Sequence, residues 1–135
     1  MFSSNQSKPQ NRIDSLVGFG TRIEGDVSFS GGLRVDGEIT GKVIADPSKP
    51  STLVLSEHAR VQGEINVTHL VVNGAIVGPV YVAEYLELQS KAKVIGDVHY
   101  KTLEIQLGAI VEGKLIHLAE ATDKVVAFKL GAAES

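Results

Sequence analysis

The sequence contains no cysteine and no tryptophan, and aromatic residues make up only 5% of it. Without cysteine there is no disulfide framework, no thiolate metal site and no Cys nucleophile. The shortage of aromatics leaves a core to be built from Val, Ile and Leu, which suit strands better than helices. No apolar run approaches the ~20 residues that a membrane-spanning helix needs. The opening stretch, Met1 to Pro9, lacks the apolar segment of a signal peptide, so a cytoplasmic location is expected. The net charge is −3 with both signs interspersed, so no basic stripe marks a nucleic-acid partner.

What the chain does have is glycine, 14 in 135 residues, spread along its length rather than gathered in a linker. That length is one domain. The glycines belong to a repeat. Leu53–Ile65, Leu86–Val98 and Leu103–Leu115 share one 13-residue template. Apolar residues stand at its first and third places, Ala at the seventh, Val at the ninth and Gly at the eleventh. Ser15–Val27 is a weaker copy with Val17, Ile23, Gly25 and Val27. Two shorter copies, Leu33–Val43 and Leu70–Val80, match each other in Leu, Val, Gly, Ile, Gly and Val. The six copies start at Ser15, Leu33, Leu53, Leu70, Leu86 and Leu103, which are 18, 20, 17, 16 and 17 residues apart. The longest interval holds Asp46-Pro-Ser-Lys-Pro50, a loop insertion.

Within each copy the apolar period is two, the strand period, and helical spacing is absent. A unit of about 17 residues is too short for a propeller blade or an α-solenoid repeat. It suits one coil of a β-helix with three short strands and glycines at tight corners. The fold class is therefore all-β, a single parallel β-helix of about six coils with flexible tails. The expected boundaries are a tail over 1–14, the β-helix over 15–118 and a tail over 119–135, with a further strand at 125–130. An antiparallel β-sandwich is the competing fold, but it gives no reason for a shared 13-residue template.

These copies carry a family resemblance. Ile23-Glu-Gly-Asp-Val27, Leu33-Arg-Val-Asp-Gly-Glu-Ile-Thr-Gly-Lys-Val43 and Ala92-Lys-Val-Ile-Gly-Asp-Val98 resemble the bactofilin domain. The resemblance implies a right-handed β-helix that assembles, without nucleotide, into non-polar bacterial cytoskeletal filaments. It further implies a place on the inner face of the cytoplasmic membrane, with cell-wall peptidases or other membrane proteins recruited to set cell shape. Met1 and Phe2, with Lys8 and Arg12, are similar to the family's membrane-targeting peptide.

The architecture gives its own reason to polymerise. Each coil of a solenoid pairs with two neighbours, but each end coil has only one, leaving open strand edges and an uncovered core. Leu16, Val17, Phe19 and Ile23 are the expected interface at the N-terminal end. Leu103, Ile105, Leu107, Val111 and Phe128 are expected at the C-terminal end. No catalytic, metal or cofactor residues are expected. The four histidines share no place in the repeat, Gly18-Phe-Gly20 opens no helix, and no phosphate-loop motif is present. The alternative reading is a β-helix enzyme of the hexapeptide-repeat kind, an acyltransferase or carbonic anhydrase. Its six-residue period fits poorly.

Overall fold

A computed structural model describes residues 12–119. Among them are sixteen strands and no helix. Every pairing between strands is parallel, which excludes the antiparallel sandwich. The chain winds through six coils, each contributing a segment to three faces. At ~4.8 Å per strand spacing the rod is roughly 29 Å long.

Face I stacks Ser15–Val17, Gly31–Val35, Ser51–Leu55 and Thr102–Ile105 with the later halves of two long strands, Ile65–Val72 and Val80–Leu88. Face II is a six-stranded sheet of Arg22–Glu24, Glu38–Thr40, Arg60–Gln62, Ala75–Val77, Lys93–Ile95 and Ile110–Glu112. Face III holds Val27–Phe29, Val43–Ala45, Val98–Tyr100, Leu115–His117 and the first halves of the long strands.

Alternation of side chains along each strand sends one row inward, and parallel pairing stacks equivalent residues into columns. On face I the register aligns Ser15, Leu33, Leu53, Leu70, Leu86 and Leu103. Face II aligns Ile23, Ile39, Val61, Ile76, Val94 and Val111. Face III aligns Val27, Val43, Ile65, Val80, Val98 and Leu115. In the interior coils these columns are almost completely withdrawn from water. Each buried Leu, Ile or Val contributes roughly 1.5–3 kcal/mol of burial, offset by the entropy of ordering the chain.

The three corners differ. Between faces I and II, coils 1, 3, 5 and 6 make four-residue turns closed by backbone bonds, Thr21 N–H to Gly18 O, Ala59 to Ser56, Ala92 to Gln89 and Ala109 to Gln106. The template's Ala closes three of them, and Ala59 and Ala92 are buried there. Coils 2 and 4 cross the same corner with only Asp36-Gly37 and Asn73-Gly74, which is what makes those copies short. Between faces II and III stand six aligned glycines, all with φ between 133° and 155°. At Gly63 a Cβ would lie less than 3.0 Å from the Gly41 carbonyl oxygen, so successive coils touch backbone to backbone. The Asp that follows the glycine has a task of its own. Asp26 Oδ1 accepts the Lys42 N–H at 2.9 Å, and Asp97 Oδ1 accepts that of Lys114 at 3.0 Å. The third corner takes the Asp46–Pro50 loop without losing register, since Phe29 still pairs Ala45 and Gly31 pairs Ser51.

Candidate assembly surfaces

The inward columns stay buried until they run out of coils. On face I, Val35, Leu55, Val72 and Leu88 are 0–1% exposed, whereas Ile105, next in the column, is 47% exposed. On face III, Val98 is 1% exposed and Leu115 is 43% exposed. Of the eight exposed large hydrophobic residues among the described residues, only Ile95 lies in an interior coil. The others are Ile13, Leu16 and Phe19 at one end and Ile105, Leu107, Ile110 and Leu115 at the other.

The residues expected at the ends fall into two groups. Val17 and Ile23 are inward members of coil 1, and Val27 and Phe29 join them. Leu103, Ile105 and Val111 are inward members of coil 6, with Leu115 beside them. Leu16 pairs with Arg34 in an outward row and is 59% exposed. Phe19 and Leu107 are neither inward nor on a strand; each occupies the second place of a four-residue turn. Val27, Phe29 and Leu115 were missed by the sequence reading, although Val27 and Leu115 stand at the template's thirteenth place.

Arg12 lies at the entry to coil 1. Its Nε donates to Asp14 Oδ1 at 3.0 Å, while Gly32 N–H donates to Asp14 Oδ2 at 2.9 Å. The Gly32 N–H, and then the Arg12 charge, hold the Asp14 carboxyl below its ordinary range. The expected strand at 125–130, and with it Phe128, lies outside the described residues, as do Met1, Phe2 and Lys8.

Two long-range contacts brace the turn corner. Lys91 Nζ of coil 5 meets Glu57 Oε1 of coil 3 at 2.7 Å, passing over the short crossing of coil 4. That hydrogen bond lowers the Glu57 pKa and raises that of Lys91. Phe19 of coil 1 packs edge to face on His58 of coil 3, with ring centroids 5.2 Å apart, over the short crossing of coil 2.

The histidines do not converge. His58 is in a turn, and His69, His99 and His117 stand in three separate columns. Among the described residues no group of three or more His, Asp or Glu is arranged to hold a metal ion. No helix there is long and apolar enough to cross a membrane.

Comparison with known proteins agrees with this geometry. The family model "Bactofilin: Polymer-forming cytoskeletal" matches residues 15–116. Two curated relatives come from Myxococcus xanthus. Bactofilin BacP is 25% identical over 117 residues, which cover 85% of this chain and 47% of BacP. Bactofilin BacO is 22% identical over 102 residues, 76% of this chain and 78% of BacO. The chain thus spans about half the length of BacP and more than three quarters of BacO. No solved structure matches. With the family match covering the whole run of six coils, the chain belongs to the bactofilins, a family of polymer-forming cytoskeletal proteins.

Proposed function

We propose that this protein is a structural scaffold, not an enzyme, that polymerises through coils 1 and 6 into nucleotide-independent, non-polar filaments. The observation that carries the reading is the interruption of the inward columns at coil 6, at Ile105 and Leu115, with Ile23, Val27 and Phe29 of coil 1 only partly buried at the other end. Burying such apolar surface is the dominant driving force of association.

The register supports each end joining its own kind. Laying coil 6 of one copy onto coil 1 of the next would place Leu103 against Ser15 and His117 against Phe29. Two inward columns would then meet a mismatched residue. Head-to-head and tail-to-tail joints do not require those two pairings and give a filament without polarity.

In this reading Met1, Phe2, Lys8 and Arg12 attach the filament to the inner face of the cytoplasmic membrane. Two apolar side chains at roughly 1.5–3 kcal/mol each bind one copy weakly. A filament displaying many copies binds by avidity. There it would gather cell-wall peptidases or other membrane proteins that shape the cell.

Electron microscopy of the purified protein tests the assembly: long filaments are expected, and discrete trimers would favour a β-helix enzyme. Ile105→Arg should abolish filaments while leaving the β circular dichroism intact, because an unpaired buried charge costs several kcal/mol at the tail joint. The expected product is a dimer joined through its heads, read by size-exclusion chromatography with light scattering. Filaments of unchanged length would remove coil 6 from the interface.

A further inference from the structure

The four long turns put one residue in their second place: Phe19, Glu57, Ser90 and Leu107. In the interior coils it is polar. In the two terminal coils it is a large apolar residue, 77% exposed at Phe19 and 95% at Leu107. Exposed apolar groups confined to the terminal turns, beside the uncovered columns, extend the end surface onto the outer ridge.

Phe19 has a ring partner. The His58 ring meets it edge to face, 68° between planes, from two coils deeper in the rod. His58 Nε2 in turn lies 3.6 Å from Glu57 Oε2, and Glu57 is tied to Lys91 at 2.7 Å. A chain of contacts therefore runs up the ridge from coil 5 through coil 3 to coil 1.

We propose that His58 is a positioning residue for the head joint, holding the Phe19 ring in the orientation in which it packs on a second copy of this chain. The inference rests on the reading of coil 1 as an assembly surface. An aromatic anchor fixed before docking loses less rotamer freedom on binding than one that must be ordered at the joint. The ring contact thereby strengthens an association in which His58, more than half exposed, need not itself take part.

The critical concentration for polymerisation, measured by light scattering, tests this in wild type, Phe19→Ala, His58→Ala, His58→Tyr and the Phe19→Ala/His58→Ala double variant. His58→Ala should raise it roughly 2- to 10-fold, the range set by losing one aromatic pair. His58→Tyr should restore it. In the Phe19→Ala background, removing His58 should change nothing further, because the ring it positions is gone. Thermal melting should barely move; if it does fall, the double variant still separates a folding loss from the ring contact. An unchanged critical concentration in His58→Ala overturns the positioning role alone. So does an equal rise with and without Phe19. If Phe19→Ala has no effect while Ile105→Arg still breaks filaments, the turn of coil 1 lies outside the head joint, and this inference falls while polymerisation stands.

Discussion

Gly63 and Gly25 occupy the same corner column, and comparing them isolates the contact between coils. Gly63 has φ 150° and Gly25 has φ 133°, so alanine at either would strain the backbone. Residues held in such sparsely populated regions cost roughly 1–3 kcal/mol. The two differ in what lies above them. At Gly63 a Cβ would fall less than 3.0 Å from the Gly41 carbonyl oxygen, whereas at Gly25 nothing lies within 4 Å. Forcing extra volume into a packed interior adds about 1–3 kcal/mol. Gly63→Ala should therefore destabilise by about 2–6 kcal/mol and Gly25→Ala by about 1–3 kcal/mol. The larger loss is a serious fraction of a stability on the order of 5–15 kcal/mol. Urea denaturation followed by circular dichroism measures both. Measuring both in the Ile105→Arg background, where long polymers are not expected, keeps any contribution of assembly to the apparent stability small. Equal losses at the two positions would show that backbone conformation alone, and not the approach of successive coils, requires glycine here.

Three further outcomes follow from particular groups. Thr52 is 2% exposed and its hydroxyl has no hydrogen-bond partner among the described residues, so Thr52→Val should stabilise by about 1 kcal/mol, read as a higher urea midpoint. The Tyr85 hydroxyl donates to Glu104 Oε1, and this bond first, then burial, pushes the phenol from 10.0 up to about 12. The folded state thus holds this proton more tightly, and the associated stability is intact below the ordinary tyrosine pKa and lost as pH climbs through the raised one. Ultraviolet titration should show Tyr85 ionising late, and Glu104→Gln should bring it back toward the ordinary tyrosine value. Deleting residues 1–8 should release the protein from liposomes without shortening filaments; undiminished co-pelleting, corrected for filaments that sediment alone, would refute the membrane attachment.

The coils could be read from the sequence because a solenoid turns a local period into its tertiary contacts. The six copy starts inferred from the repeat form one hydrogen-bonded column, Ser15 to Leu103. The end surfaces were less legible. Leu16 is apolar, yet it lies between Ser15 and Val17, and the period of two turns it outward. Phe19 and Leu107 belong to turns, where no strand period says which way a side chain projects. The contact between Phe19 and His58 had no sequence signal. It depends on two long turns meeting over a shorter one, a matter of height along the rod.

The insertion at Asp46–Pro50 shows that chain length and axial advance are independent quantities here. Successive copies take between 16 and 20 residues, yet each advances the rod by one backbone hydrogen-bond layer. A filament of such rods would be ruled in units of about 4.8 Å, whatever its loops contain. Aligned fibres should diffract X-rays at that spacing along the filament axis, and the subunit repeat should be counted in layers rather than residues. Lengthening the loop at this corner would then add mass to the filament's flank and leave its ruling untouched.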